Sequence, residues 1–180
     1  MIERGERGSV KTDARKQAQN ERAAVERLQN VIDANFGPDS WCLTLDYSPE
    51  SQKGLTERAG QYGGRERIDA VRRAAEKEFS CLLRRIRHAM SGESPRYVAV
   101  TADLDDVTGR YAPAHHHVVA DSRTAEFVAQ KWKLGPVHKS PLTDVERERQ
   151  AGFLLRQVRR VYEVKKYTRS RNLQEPENVC

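Results

Sequence analysis

The chain has few cysteines and no long apolar segment, and these absences exclude several classes of protein. Its three cysteines are odd in number, far apart and without a CxxC pair, which argues against a disulfide framework and a cysteine zinc site. The amino-terminal segment is charged and has no apolar centre, so it does not resemble a secretory signal. No apolar stretch approaches the length that crosses a bilayer. These features predict a soluble cytoplasmic protein without a membrane partner.

Charge is abundant in this chain. Charged residues make up 32% of the sequence and the formal net charge is +6. A chain of this length fits one domain, which we expect over residues 12–173, after a disordered charged start (1–11) and before a flexible tail (174–180). A basic domain favours a polyanionic partner such as nucleic acid. An ordinary soluble basic protein is the alternative.

The spacing of apolar residues predicts a mixed order of helices and strands. Helical periodicity covers residues 12–35, 65–90, 124–134 and 143–162. Strands are predicted at residues 41–47, 97–104, 115–120 and 137–139. The segment 48–64, with four glycines and little apolar content, is predicted to be a loop, and 105–110 the tip of a hairpin. This order favours an α+β fold, an antiparallel sheet with helices packed on its faces.

Three consecutive histidines open the predicted strand 115–120. Because side chains alternate along a strand, His115 and His117 should point to one face of the sheet and His116 to the other. Two imidazoles side by side on a rigid strand make half of a site for a divalent metal. A polar surface patch is the alternative for a histidine run considered alone.

A carboxylate on the neighbouring strand is the expected third ligand. If strands 97–104 and 115–120 pair as a hairpin, Asp103 should approach the two imidazoles, with Asp105 or Asp106 in its place if the register slips. Two imidazoles and a carboxylate suit a divalent ion such as Mn²⁺ or Mg²⁺ and leave positions open for a phosphate. The alternative is that these acidic residues only solvate a turn.

Basic residues with interleaved tyrosines lie late in the chain. The cations are Arg156, Arg159, Arg160, Lys165, Lys166, Arg169 and Arg171, and the tyrosines are Tyr162 and Tyr167. Cations that follow phosphates, together with aromatic rings on which bases stack, are typical of single-strand nucleic-acid binding. A solvated helix face is the alternative for any single member, but the density of the cluster favours a binding role.

The order of these motifs resembles that of the HUH family, the rolling-circle replication initiators of phages and mobile elements. The resemblance rests on the segments Leu43–Tyr47, Tyr97–Thr101, Gly109-Arg110 and His115–Val119, and extends from about residue 20 to residue 176. It implies a metal-dependent endonuclease that nicks single-stranded DNA, alone or in a nucleoprotein complex. In that family the histidine pair holds the metal, and a tyrosine on a late helix forms a 5′-phosphotyrosine link.

The chain departs from the family pattern where the nucleophile is expected. Phe153 aligns with the family's tyrosine and Arg156 with its lysine, and a phenyl ring has no nucleophilic oxygen. Tyr162, which begins a YxxK sequence, and Tyr167 are the candidates left, although on an unbroken helix Tyr162 lies about half a turn from Phe153. Three functions stay open: a nuclease, a degenerate relative that binds nucleic acid or a nucleoprotein complex as an accessory or inhibitory factor, and a basic domain without an active site.

Overall fold

A computed structural model describes residues 14–60, 63–159 and 166–176. In this part of the chain, strands form one antiparallel sheet in the order β4-β1-β3-β2-β5. The strands are β1 (Trp41–Leu45), β2 (Tyr97–Leu104), β3 (Tyr111–Ala120), β4 (Val137–Pro141) and β5 (Thr168–Arg169). The helices are α1 (Ala14–Asn35), α2 (Pro49–Arg58), α3 (Gly64–Ala89), α4 (Ser122–Lys131), α5 (Asp144–Arg147) and α6 (Gln150–Arg156). The predicted α+β architecture is therefore confirmed, and the histidine strand is the central strand.

Helices cover both faces of the sheet, because alternation along the central strands supplies two apolar surfaces. Ala99 and Val118 belong to one surface, the α3 face, and pack with Phe79, Leu82 and other side chains of α3 and α4. The neighbouring residues Val98, Val100 and Val119 belong to the opposite surface, the α6 face, which packs against α1 and α6. Each face thus has its own hydrophobic core.

The segment predicted to be a loop contains a helix. Helix α2 begins at Pro49, where the Ser48 side chain accepts a hydrogen bond from the Ser51 N–H at 3.2 Å. Its apolar anchor is Leu55, which is buried against Ala75 and Ala114. One buried leucine is too weak a periodic signal to predict a helix, so the loop prediction for 48–64 was wrong over Pro49–Arg58.

The last predicted helix, residues 143–162, also differs from the structure. Within residues 143–159 the chain forms two short helices instead: a capping box of Thr143 and Glu146 begins α5, and α6 ends at Arg156. Because α6 ends at Arg156, no continuous helix joins Phe153 to Tyr162. Tyr162 itself lies outside the described residues, as do the predicted disordered start (1–11) and residues 177–180 of the predicted tail.

No helix in the described segments has the length and apolar content to cross a membrane.

A glycine brings the chain after α4 tightly against the end of β1. A Cβ atom at Gly135 would lie 2.2 Å from the Asp46 carbonyl oxygen and 2.5 Å from the Ser48 backbone nitrogen. The Trp132 indole N–H donates to the same Asp46 carbonyl at 3.0 Å, and the Ser48 N–H donates to the Leu134 carbonyl at 2.8 Å. Only glycine allows this approach, so Gly135 fixes the end of β1 that borders the histidines.

We expect Gly135→Ala to lower the free energy of unfolding by about 2 kcal/mol, because the added methyl must displace backbone atoms. Gly54→Ala is the matched control: a Cβ atom at Gly54 meets nothing within 4 Å, and alanine inside a helix should stabilise by up to about 1 kcal/mol. Urea unfolding followed by circular dichroism measures both. Equal effects of the two substitutions would contradict the assignment.

Candidate metal centre

The histidine triplet divides between the two faces of the sheet. Residues opposite each other on paired strands share a face. His117 is opposite Val100 and therefore lies on the α6 face, together with His115. His116 is opposite Thr101 and lies on the α3 face. The register therefore confirms that the three imidazoles alternate between the two faces of the sheet, as predicted.

Three atoms that can coordinate a cation converge on the α6 face. The Nε2 atoms of His115 and His117 are 3.1 Å apart, and the Gln157 side-chain oxygen lies 2.9 Å from His117 Nε2. The Nδ1 of His115 donates to the Pro113 carbonyl at 2.9 Å, so its Nε2 carries a lone pair. His117 Nδ1 is held at 3.0 Å from the Thr44 hydroxyl on β1, which aims Nε2 at the same point.

The spacing of these atoms fits a divalent cation. Bonds of about 2.1 Å at right angles place neighbouring ligand atoms about 3 Å apart, which agrees with the 3.1 and 2.9 Å separations. In residues 14–60, 63–159 and 166–176, no third histidine, cysteine or carboxylate joins the pair as a metal-binding group. The third candidate ligand is thus the Gln157 amide.

Gln157 is fixed in place by its backbone and its side chain. Its amide nitrogen donates to the Phe153 carbonyl at 3.2 Å, which turns the side-chain oxygen toward His117. Its own carbonyl accepts the backbone N–H groups of Asp103 and Leu104, each at 3.1 Å. No sequence pattern singled out Gln157 as a candidate ligand. The only feature of the sequence that could have indicated it is that Gln157 is an amide among apolar and basic neighbours.

Asp103 does not approach the imidazole pair. Its carboxylate accepts the backbone N–H and the Nε–H of Arg159 at 3.1 and 3.2 Å and lies 3.9 Å from Arg72. The cause is the register: Ala102, not Asp103, is opposite His115. Asp103 therefore holds the segment that follows α6, and Gln157 stands where a carboxylate ligand was expected.

The acidic residues at the hairpin tip are arranged around the turn. The Asp105 carboxylate accepts the backbone N–H of Thr108 at 2.7 Å and its hydroxyl at 2.8 Å. These hydrogen bonds lower the pKa of Asp105. Asp106 follows in the same turn, and its negative charge opposes the loss of a proton from His117. Neither acid belongs to a three-residue metal group in the described chain.

The position aligned with the family's tyrosine lies next to the histidine pair. The half-buried Phe153 ring is 5.1 Å from the His117 ring, centroid to centroid, with an interplanar angle of 69°. The side chain at this position therefore contacts one candidate metal ligand, His117. It offers a ring edge there and no hydroxyl.

Tyr167 lies on the same face as the pair, further along the sheet. It packs, half-buried, against the core of the α6 face. Thr168 is opposite Ala99 in the β2–β5 ladder, so Tyr167 comes beside Val100, the partner of His117. With adjacent strands about 5 Å apart, the backbones of Tyr167 and His117 are about 10 Å apart. A tyrosine side chain can span most of that distance.

The predicted nucleic-acid-binding cations are not equivalent. Arg159 is buried, bonded to Asp103 and paired with Asp69, so its guanidinium stabilises the fold and is not available to a ligand. Arg156 and Arg171 are exposed, and Lys166 and Arg169 are half-buried. Arg160 and Lys165 lie outside the described residues.

His116 occupies the hydrophobic core of the α3 face. Its ring stacks on Phe79 at a centroid distance of 4.9 Å. Its Nε2 is 2.8 Å from the Tyr47 hydroxyl and its Nδ1 is 3.1 Å from the Thr101 hydroxyl. Both ring nitrogens thus have partners, and the imidazole is held in its neutral form.

Burial controls the protonation of the histidines. It lowers the pKa of His116 to about 3, with a smaller contribution from the charges of His115 and His117. Burial, followed by the charge of His115, lowers the pKa of His117 to about 4. His117 is therefore neutral near pH 7, which is the form that coordinates a metal.

Comparisons of the chain with protein-family models, with curated proteins and with solved structures find no match.

We expect acidification from pH 6.5 to pH 4 to destabilise the protein. The unfolded chain takes up protons on His116 and His117 near pH 6.5, whereas the folded chain does so only near pH 3 and 4. Each histidine then removes up to about 1.4 kcal/mol per pH unit. Urea unfolding in EDTA at half-unit steps measures the slope, and His116→Gln should reduce it by about half. If that variant does not fold, an NMR titration that shows His116 protonated at pH 5 contradicts the prediction.

Proposed function

We propose that the protein is a metal-dependent endonuclease that nicks and rejoins single-stranded DNA in the rolling-circle replication of a phage or mobile element. The observation that supports this most is the convergence of His115 Nε2, His117 Nε2 and the Gln157 side-chain oxygen. These residues would hold a divalent ion such as Mn²⁺ or Mg²⁺, which would supply Lewis-acid polarisation of a phosphodiester. The resemblance to the HUH family assigns the same role to the histidine pair.

The position of the site supports this function. The pair lies on the central strand of the sheet, where β1 on one side and β2 on the other limit its movement. Thr44 and Pro113 orient the rings, and Gln157 is fixed by the backbone of β2. Ligands held on rigid elements are what precise placement of a phosphate requires.

Tyr167 and Tyr162 are the proposed nucleophiles. The phenolic oxygen bonds to phosphorus while the bond from phosphorus to the 3′-oxygen breaks, and the 3′-oxygen leaves as a hydroxyl with the proton that the phenol gives up. The downstream DNA fragment stays attached to the tyrosine through its 5′-phosphate. Attack by a 3′-hydroxyl on that phosphate reverses the step. Tyr167 has the structural support of sharing the α6 face with the pair.

Phe153 favours a second function. With a phenyl ring next to His117, the protein would bind nucleic acid, or a nucleoprotein complex, as an accessory or inhibitory factor that does not cut. In this second function the protein binds nucleic acid but does not form a covalent bond with it. The two functions are distinguished by the protein–DNA adduct, which only the nuclease forms.

We expect the protein to bind Mn²⁺ through the side chains of His115, His117 and Gln157. His117→Ala should abolish measurable binding, and Gln157→Ala should weaken it at least about tenfold, because each removes one converging ligand. His138→Ala is the control, since that imidazole is exposed and bonded to Asp46 instead; its affinity should equal that of the native chain. Isothermal titration with Mn²⁺ measures all four proteins. Native affinity in His117→Ala would exclude the site.

We expect a covalent adduct when the protein is incubated with Mn²⁺ and a randomised single-stranded DNA pool labelled at the 3′ end. Denaturing electrophoresis detects the adduct, and peptide mass spectrometry identifies the tyrosine. Tyr167→Phe or Tyr162→Phe should reduce it at least about 100-fold, whichever is the nucleophile. A persistent adduct in the double variant contradicts both assignments.

The same assay separates the two functions. Phe153→Tyr places a hydroxyl beside His117. An adduct from this variant, with none from the native chain, establishes the non-cutting alternative.

A further inference from the structure

A small pocket, here called the α2–α3 pocket, lies between α2, α3 and the start of β3. It is separate from the histidine pair, whose rings are on the α6 face. Its volume of about 210 Å³ is below the about 300–1,000 Å³ of pockets that hold drug-sized ligands. Most of the side chains that line it are exposed or half-buried. The pocket is therefore open to solvent and has room for one planar ring system.

The walls of the α2–α3 pocket are mainly apolar. Helix α3 contributes Ile68 and Val71, and the start of β3 contributes Ala112, Pro113 and Ala114. Apolar walls with a few polar groups between them are typical of sites for small molecules. They favour a flat ring over a charged group, because a ring gains from leaving water and a charge does not.

An aromatic side chain lies at the mouth of the pocket. Tyr111 lines it and is 55% exposed. The guanidinium carbon of Arg159 is 5.5 Å from the centroid of the Tyr111 ring, and Arg159 is itself fixed by ion pairs with Asp103 and Asp69. The ring is thus supported from the protein side while more than half of the residue stays exposed. An exposed aromatic ring beside a cavity is a surface on which a nucleobase stacks.

Helix α2 contributes hydrogen-bond acceptors to the pocket. The side-chain oxygen of Gln52 is buried and has no hydrogen-bond partner among the described residues. Thr56, one turn further along, donates its hydroxyl hydrogen to the Gln52 carbonyl at 3.0 Å, so toward a ligand its oxygen can only accept. Both residues line the pocket. A buried acceptor without a donor is costly, and the pocket therefore favours a ligand that carries N–H donors.

The charges of the pocket distinguish its interior from its mouth. Asp103 and Arg72 line it, are both buried and approach to 3.9 Å, so they neutralise each other. Arg67 also lines it but is exposed, and within the described ranges it forms no ion pair. This arrangement suits a ligand with a neutral ring inside the pocket and an anionic group outside it.

We propose that the α2–α3 pocket binds one nucleotide whose base carries an exocyclic amine, as adenine does. The base stacks on Tyr111, its amine donates to the oxygens of Gln52 and Thr56, and its phosphate pairs with Arg67. Thymine carries a carbonyl oxygen where these bases carry the amine, and that oxygen would face two acceptors. The nucleotide is either free or part of a single strand, and the proposal does not depend on the nuclease.

The first test locates the site. An NMR titration of the full chain, labelled with ¹⁵N, uses dAMP in EDTA. We expect saturable shifts of the backbone amides of Gln52, Tyr111 and Ala112. Tyr111→Ala should weaken binding at least about tenfold, because base–aromatic stacking is lost. Val107→Ala is the matched control: it removes another exposed apolar side chain of the same hairpin that does not line the pocket, and it should bind dAMP as the native chain does.

The second test examines the amine. Gln52→Leu should weaken dAMP binding by about tenfold, because a hydrogen bond to the ligand is lost. The same variant should not lower the free energy of unfolding in urea, since it replaces an acceptor that has no partner among the described residues. Purine deoxyriboside monophosphate, which lacks the amine, should bind the native chain about tenfold more weakly than dAMP. In Gln52→Leu the two ligands should bind equally.

A third comparison identifies the source of the nucleotide. An oligo(dT) strand with one dA is compared with the same strand carrying an abasic site at that position. Tighter binding of the dA strand indicates a nucleotide within a strand, and binding of dAMP without such a preference indicates a free nucleotide; both support the pocket. Equal affinity of the native chain for dAMP and its amine-free analogue, native affinity in Tyr111→Ala, or no shift at the pocket with either dAMP or the dA strand would overturn the proposal.

Discussion

The contact between the end of β2 and the segment after α6 is the interaction on which the site depends. Asp103 binds Arg159 through a buried carboxylate, while the N–H groups of Asp103 and Leu104 hold the Gln157 carbonyl. Removing one partner of a buried ion pair leaves the other charge without compensation, at a cost of about 3–5 kcal/mol. The pair therefore stabilises the fold and sets the position of Gln157 on the opposite face of the sheet. An acidic residue that contacts no ligand thus decides where a candidate ligand lies.

The histidine run combines a structural role and a candidate chemical role in three residues. Alternation sends His116 into the core of the α3 face, where Phe79 and two hydroxyl groups surround it. The same alternation leaves the rings on either side on the α6 face. Burial keeps His117 neutral, so protons compete weakly with a cation near pH 7. One pattern in the sequence accounts for both the packing of this strand and the availability of its lone pairs.

The parts that sequence reasoning predicted are those specified by local periodicity. Strand β2 was predicted to its exact ends, and α3 to within one residue, because each has a long and regular apolar pattern. Helix α2, the end of α6 and the placement of Asp103 and Gln157 depend on tertiary contacts and on register, which no local pattern encodes. A shift of one residue between β2 and β3 decides whether Asp103 or Ala102 is opposite His115. Site chemistry was therefore harder to predict than the elements that carry it.

The two observations that favour different functions concern different steps. Phe153 removes a hydroxyl beside His117 and so bears on the nucleophile alone. The converging acceptors bear on metal binding: without a cation, His115 Nε2 and the Gln157 oxygen must share one proton from His117. In that state the 2.9 Å contact is a hydrogen bond from His117 to the Gln157 oxygen, and His115 Nε2 is the acceptor with the weaker share of the proton. The nucleophile and the proposed ion are therefore separate questions: Phe153 bears on the first and the orientation of Gln157 on the second, and a phenol from another segment, such as Tyr167, is compatible with either answer to the second.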